Sequence, residues 1–306
     1  MGQKRLFTGI RLHGEPRYVC GGPEKYPVDV DPAVRKCVAY LGYRDSKGDE
    51  QIRGTCFYMS RKLPKVRLVY LVTVRHVIEQ IAPRPVHVRL NTADGGKVFV
   101  ELQNQWAMSD KDEIDVPISQ APFIQTEQLA VPFSILARDT AAEQVAPVEL
   151  GDEVMVTGLF HQCPGTVRNV PIVRFGNVSA LRDEPVRAQV HDQAHSRPYA
   201  DIDAYLVETR SQGGLSGSPV FVYETLPVHM RRVMMPDEIY SPTVGRPVHL
   251  MGMIQGHFRF KDSAIGDPDE QHINVGISIV VPSQRIIEFF NEGEPLREAE
   301  KVLEAT

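Results

Sequence analysis

Residues 212–222 read Gln-Gly-Gly-Leu-Ser-Gly-Ser-Pro-Val-Phe-Val, a small-residue loop with Ser216 flanked by Gly214 and Gly217 that then enters an apolar strand. A serine hydroxyl is a weak nucleophile until a neighbouring base takes its proton. Its target also needs N–H groups to receive the negative charge that develops on the attacked oxygen. Glycines suit that second task, because backbone N–H groups must converge on one atom in conformations a side chain often blocks. Each such donor is worth about 3–4 kcal/mol of transition-state stabilisation. The chemistry expected of the loop is nucleophilic attack by Ser216 with an oxyanion held beside it.

The base and its orienting group must come from elsewhere in the chain. Val69-Tyr70-Leu71-Val72-Thr73-Val74-Arg75-His76-Val77-Ile78 reads as a buried strand ending at His76. Asp115 stands directly before the apolar run Val116-Pro117-Ile118, as a carboxylate at the start of a buried strand requires. Its acidic neighbours Asp110, Asp112 and Glu113 lack that context. Each residue alone has a plainer reading. A Gly/Ser loop is usually a turn, and a single histidine is usually a hydrogen-bonded core residue. Three of them in the chain order His, Asp, Ser favour the reactive reading.

On these residues the chain resembles the trypsin-like (chymotrypsin-fold) serine peptidases, in particular the disulfide-poor bacterial branch that includes the glutamyl endopeptidases. The resemblance runs from about residue 36 to residue 290. The family's Gly-x-Ser-Gly-x-Pro is Gly214-Leu215-Ser216-Gly217-Ser218-Pro219. Its strand-Thr-Ala-x-His is Leu71-Val72-Thr73-Val74-Arg75-His76, with Val74 in place of alanine. Its Asp-hydrophobic-Ala-hydrophobic is Asp115-Val116-Pro117-Ile118, with Pro117 in place of alanine. Gly54-Thr55-Cys56-Phe57 matches the strand before the histidine, and Leu250–Gly256 one wall of the substrate cleft.

The resemblance implies that Ser216 attacks a scissile carbonyl, that His76 carries the proton to the leaving amine, and that Asp115 orients His76. The N–H groups of Gly214 and Ser216 would bind the oxyanion. Arg210, six residues before the serine, would lie at the base of the specificity pocket and favour an acidic side chain by bidentate pairing. Gln255, Gly256 and His257 would line the cleft. The expected function is a serine endopeptidase working through an acyl-enzyme. The alternative is a binding or scaffold module that keeps the fold without significant catalysis. Leu215 replaces the aspartate with which digestive members secure a new N-terminus, so activity is expected without that processing.

The elements fit this frame. Short strand signals at 37–43, 54–60, 67–73, 86–90, 97–103 and 114–119 precede a second series at 153–160, 171–181, 203–208, 218–223, 247–256 and 273–281. Frequent short strands between turns point to an all-β protein. By resemblance it has two antiparallel six-stranded β-barrels with a C-terminal helix. The expected division is an extension at 1–35, a first barrel at 36–136, a linker at 137–150, a second barrel at 151–281 and a helix with its tail at 282–306. Asp94-Gly95-Gly96 reads as a hairpin turn. Ile286, Phe289 and Phe290 form the apolar stripe of the closing helix, expected to dock on the second barrel.

Composition excludes some functions. A net charge of −5 gives no electrostatic reason to bind nucleic acid or a membrane surface. No apolar run is long enough to span a bilayer. The start of the chain lacks the apolar stretch of an export signal. The four cysteines show no paired spacing, so a reducing cytoplasm is expected. Neither a cofactor nor a metal is expected: Cys163 with His161, and His191 with Asp192 and His195, do not complete a tetrahedral set. Expected partners are a protein or peptide substrate and a regulatory protein at 224–246 or at the N-terminal extension, long segments of the kind that carry function.

Overall fold

A computed structural model gives the fold, and it describes residues 32–62, 67–103, 106–108, 117–120, 126–133, 147–160, 163–189, 199–209, 215–223, 248–261 and 272–292. The chain divides into Met1–Val30 and Asp31–Thr306, and all the described residues belong to the second unit.

The first half is an antiparallel sheet in the order β5-β4-β1-β2-β3-β6. Its strands are β1 (Val38–Arg44), β2 (Glu50–Lys62), β3 (Arg67–Val72), β4 (His87–Asn91), β5 (Lys97–Glu101) and β6 (Ile118–Gln120). A seventh strand, β7 (Val131–Pro132), runs parallel to β2 and pairs with Met59 and Ser60, beyond the last residue that β1 reaches. β1 is buried on both faces from Val38 to Tyr43, which explains its nearly continuous apolar run. The expected β4–β5 hairpin is present, with Gly95 at φ +89° in its turn.

Two isolated bridges bring the ends of this sheet together, in keeping with the first barrel expected: Thr92 pairs with Thr126, and Ala107 exchanges hydrogen bonds with Ile118 at 2.8 and 3.0 Å.

The second half is a closed barrel in the order β12-β15-β14-β13-β8-β9, built from the six strands expected there. They are β8 (Glu153–Leu159), β9 (Pro171–Ala180), β12 (Tyr205–Glu208), β13 (Pro219–Tyr223), β14 (Val248–Lys261) and β15 (His272–Pro282). Alternate residues face inward, so Val154, Val156, Val220 and Val222 meet Met251 and Val280 in its core. A two-stranded ribbon, β10 (Val186–Gln189) with β11 (Tyr199–Ile202), was not expected from the sequence.

Three helices complete the described fold: α1 (Pro32–Lys36), α2 (Arg75–Ile81) and α3 (Ser283–Glu292). Two of them correct the sequence reading. The run carrying His76 is a strand only as far as Val72, and His76 lies in the first turn of α2. α3 buries Ile286, Phe289 and Phe290 as expected. Yet its Phe290 ring packs edge-on against Tyr70 of β3 at 4.9 Å and Phe133 at 5.0 Å, so the helix grips the first sheet as well as the barrel. No helix of the described residues is long and apolar enough to cross a membrane.

Candidate active site

Ser216 sits in a tight turn at the seam between the sheet and the barrel. The Ser218 N–H donates to the Leu215 carbonyl at 2.9 Å and closes the turn, while Gly217 takes φ +84° at its third position. A positive φ there is what a type II turn needs and what glycine adopts without strain. Space makes the same demand. A Cβ on Gly217 would lie 2.0 Å from the Thr55 carbonyl oxygen and 2.5 Å from Thr73 Oγ1.

The turn is anchored on both sides. Toward the barrel, Gly217 N–H donates to the Ile254 carbonyl and Ile254 N–H to the Ser218 carbonyl, each at 2.8 Å. Toward the sheet, Thr55 N–H donates to the Ser216 carbonyl at 3.0 Å. The N–H groups of Gly217 and Ser218 are therefore committed inside the protein. Of the residues from the serine through Ser218, only Ser216 itself has an N–H not engaged in one of these bonds. The Ser216 side chain is partly exposed, and its hydroxyl donates to the Gln255 carbonyl at 3.2 Å.

His76 approaches from the sheet. Val74 precedes α2 in extended conformation, and the chain turns into the helix so that His76 is partly exposed while Val77 is buried. Val77 packs on Gly54 of β2. A Cβ at Gly54 would lie 2.5 Å from a Val77 methyl and 3.3 Å from the Ser216 carbonyl oxygen. One glycine thus lets the helix that carries His76 and the turn that carries Ser216 converge on the same point of β2.

Asp115, Gly214 and Arg210 lie outside the described residues. Close by in sequence, Pro117 accepts a hydrogen bond from Thr73 N–H at 3.3 Å, and Ile118 pairs with Val72. That joins the strand following Asp115 to the one leading to His76. Gln255 is buried on β14 at a register shift between Ile254 and Gly256, and this irregularity turns its carbonyl toward Ser216. Gly256 borders open space, since a Cβ there would meet nothing within 4 Å. The backbone of His257 continues β14 opposite Ser278.

His161, His191, Asp192 and His195 lie outside the described residues, as do residues 224–246. Among the described residues no group of histidine, cysteine, aspartate and glutamate side chains is arranged to hold a metal. Cys37 and Cys56 are free but fully buried, and burial pushes both thiols far up from their ordinary range. A thiol in that state is a poor nucleophile.

The sequence motifs include Thr55, Thr73 and Ile254 but give none of them the anchoring task the structure shows. The available signal was a threonine within each of two apolar motif runs; both are fully buried, where a hydroxyl must find a partner.

No protein-family model and no curated protein matches the sequence. Solved structures of similar backbone include the active form of the Rv3671c protease from M. tuberculosis, at 17% identity and TM-score 0.46, over 89% of this chain and 93% of that one. Another is a mutant tobacco etch virus protease, at 13% identity and TM-score 0.43, over 88% of this chain and 82% of that one. With scores below 0.5, neither likeness carries weight in assigning a function.

Proposed function

We propose that this chain is a serine endopeptidase whose nucleophile is Ser216, with His76 as base, Asp115 as the group that orients it, and an acyl-enzyme as intermediate. The observation that carries the reading is the convergence of the Ser216 turn and the His76 helix on Gly54 of β2. In the reaction, His76 takes the Ser216 proton as Oγ attacks the peptide carbonyl. The N–H groups of Ser216 and Gly214 receive the oxyanion, and His76 returns the proton to the departing amine. Water then repeats the cycle on the ester.

The shape beside the serine suits an extended peptide. Among the described residues, β13 pairs with β14 only as far as Met253, and β14 runs on past Gly256 to Lys261. A substrate strand laid along that edge would bring its carbonyl to Ser216, in the manner of strand addition. Arg210 favours an acidic residue before the scissile bond. The proposed setting is the cytoplasm, where the free thiols of Cys37, Cys56 and Cys163 stay reduced.

One observation favours a second reading. The Ser216 proton points at the Gln255 carbonyl, and a hydroxyl has a single proton to donate. In that state the serine is not engaged with a base. The chain would then be either a peptidase at rest that a partner or substrate switches on, or a scaffold module.

The test is fluorophosphonate labelling of the wild-type protein and Ser216→Ala, read by intact mass. One adduct on the wild type and none on the variant supports an activated Ser216. An unlabelled, folded wild type under saturating probe and peptide removes the peptidase reading in favour of the scaffold. A cleavage library without Asp or Glu enrichment removes the role of Arg210 alone.

A further inference from the structure

β2 and β3 pair from Lys62–Arg67 to Phe57–Val72, and there β3 leaves. The next outward-facing backbone groups of β2 on that edge belong to Thr55. Its N–H donates to the Ser216 carbonyl at 3.0 Å, and its carbonyl accepts from Thr73 Oγ1 at 2.7 Å. The serine turn and one threonine side chain together take over the place of the departed strand.

Thr73 makes a second bond in another direction, from its N–H to the Pro117 carbonyl at 3.3 Å. It also forms a wall of the Gly217 niche, where its hydroxyl would lie 2.5 Å from an added Cβ. Thr73 is fully buried, as is Thr55. One residue therefore touches three segments: β2 at Thr55, the serine turn at Gly217, and the chain two residues past Asp115. It stands three residues before His76.

We infer that Thr73 is a positioning residue for the reaction proposed above, its hydroxyl setting the distance between the Ser216 turn and the His76 segment. The inference rests on the peptidase reading of Ser216. The mechanism is one of register. The Thr73 hydroxyl fixes the Thr55 carbonyl, the rigid Thr55 peptide fixes its own N–H, and that N–H holds the carbonyl of the nucleophile. Val at this position has nearly the same shape but no donor, so the Thr55 carbonyl would lose the bond that Thr73 Oγ1 supplies. Losing that bond lets the turn or a water settle into new geometry. A displacement of about 1 Å at reacting groups lowers a rate by ~100-fold.

The experiment compares Thr73→Val, Thr73→Ala and Thr73→Ser with the wild type. It measures the inactivation rate constant and the probe dissociation constant for a fluorophosphonate, alongside thermal melting. The expected result is a fall of roughly 10- to 100-fold in the rate constant for Val and Ala. Probe affinity stays unchanged, and Ser, which restores the hydroxyl, comes back within a few-fold of wild type. If Val fails to fold, Ala and Ser, which differ essentially by the hydroxyl, decide the matter. Equal rates in Ala and Ser overturn the inference while leaving the peptidase reading intact. So does a wild-type rate in folded Val. A wild type that takes no label overturns both.

Discussion

Gly217→Ala tests the geometry of the serine turn against a built-in control. Gly217 and Gly95 have nearly the same backbone angle, φ +84° and +89°. An alanine at either pays the same conformational penalty, about 1–2 kcal/mol for an L residue in that region. Their surroundings differ completely. Around Gly95 an added Cβ meets nothing within 4 Å, whereas at Gly217 it meets the Thr55 carbonyl oxygen at 2.0 Å. That is far inside the 3.4 Å at which ordinary contact begins, and the obstructing atom is backbone rather than a flexible side-chain end. Overpacking of this kind adds about 1–3 kcal/mol. The expected losses are therefore ~1–2 kcal/mol for Gly95→Ala and ~2–5 kcal/mol for Gly217→Ala.

Equilibrium urea denaturation of both variants measures the difference, and fluorophosphonate labelling measures what the displaced turn does to Ser216. Gly95→Ala should label at the wild-type rate. Gly217→Ala must push the turn away from Thr55, and its labelling should fall by ~100-fold or more. Equal destabilisation of the two variants, with Gly217→Ala still labelling normally, would refute the idea that close approach to Thr55 holds the nucleophile in place.

Two further expectations concern the framework. Arg89 of β4, 2% exposed, donates to the Pro164 carbonyl at 3.2 Å and the Gly165 carbonyl at 2.5 Å, and pairs with Glu50 at 3.4 Å. Arg89→Met should cost about 3 kcal/mol by leaving those carbonyls and Glu50 without their shared donor; a loss below about 1 kcal/mol in urea denaturation would argue against it. Asp203 is held below the ordinary carboxylate value of 3.8, first by hydrogen bonds from Arg182 and then by Arg285, against the opposing effect of partial burial. Its folded-state pKa is the lower one, so its contribution is complete above 3.8 and vanishes as pH falls through the folded value. Asp203→Asn should lower the melting temperature slightly at neutral pH, since solvent screens so open a pair. The gap to wild type should close in acid, and a gap constant across the titration would contradict the linkage.

Strands were legible where burial imposes alternation or a continuous apolar run. All six barrel strands and the six longer strands of the sheet were read in place, though β14 runs five residues past its expected end and residues 114–116 of the strand expected at 114–119 lie outside the described residues. The ribbon β10–β11 escaped because Val186-Arg187-Ala188-Gln189 and Tyr199-Ala200-Asp201-Ile202 alternate with small, weakly apolar residues. The helix α2 escaped because Val77, Ile78 and Ile81 continue the apolar character of β3 without a capping side chain to mark the change. Composition cannot report where a strand stops when the next helix is buried by the same core. Residue type and neighbours made Ser216 and His76 candidates, and the structure brings the turn of one and the helix of the other together at Gly54 of the motif strand. The roles of Thr55 and Thr73 were not legible, because they consist of hydrogen bonds between segments far apart in the chain.

Those long-range bonds belong to a wider pattern at the seam. Tyr40 donates to the Phe160 carbonyl at 2.8 Å, and burial pushes its hydroxyl up to about 12, keeping it protonated as a donor. The Asn91 side chain accepts from the Asn169 N–H at 2.7 Å and donates to the Asn169 carbonyl at 3.1 Å, and the Asn169 side chain donates to the Arg89 carbonyl at 2.7 Å. With Arg89 and Thr55, the sheet is tied to the barrel largely through directional bonds to backbone atoms. Apolar faces are non-directional and tolerate sliding, because area buried is nearly unchanged by a small shift. Hydrogen bonds weaken steeply when misaligned. A seam of this kind fixes the relative position of the two halves, and with them the Ser216 turn and the His76 helix. Under the proposed function, small changes along it should alter the labelling rate of Ser216 before they alter folding.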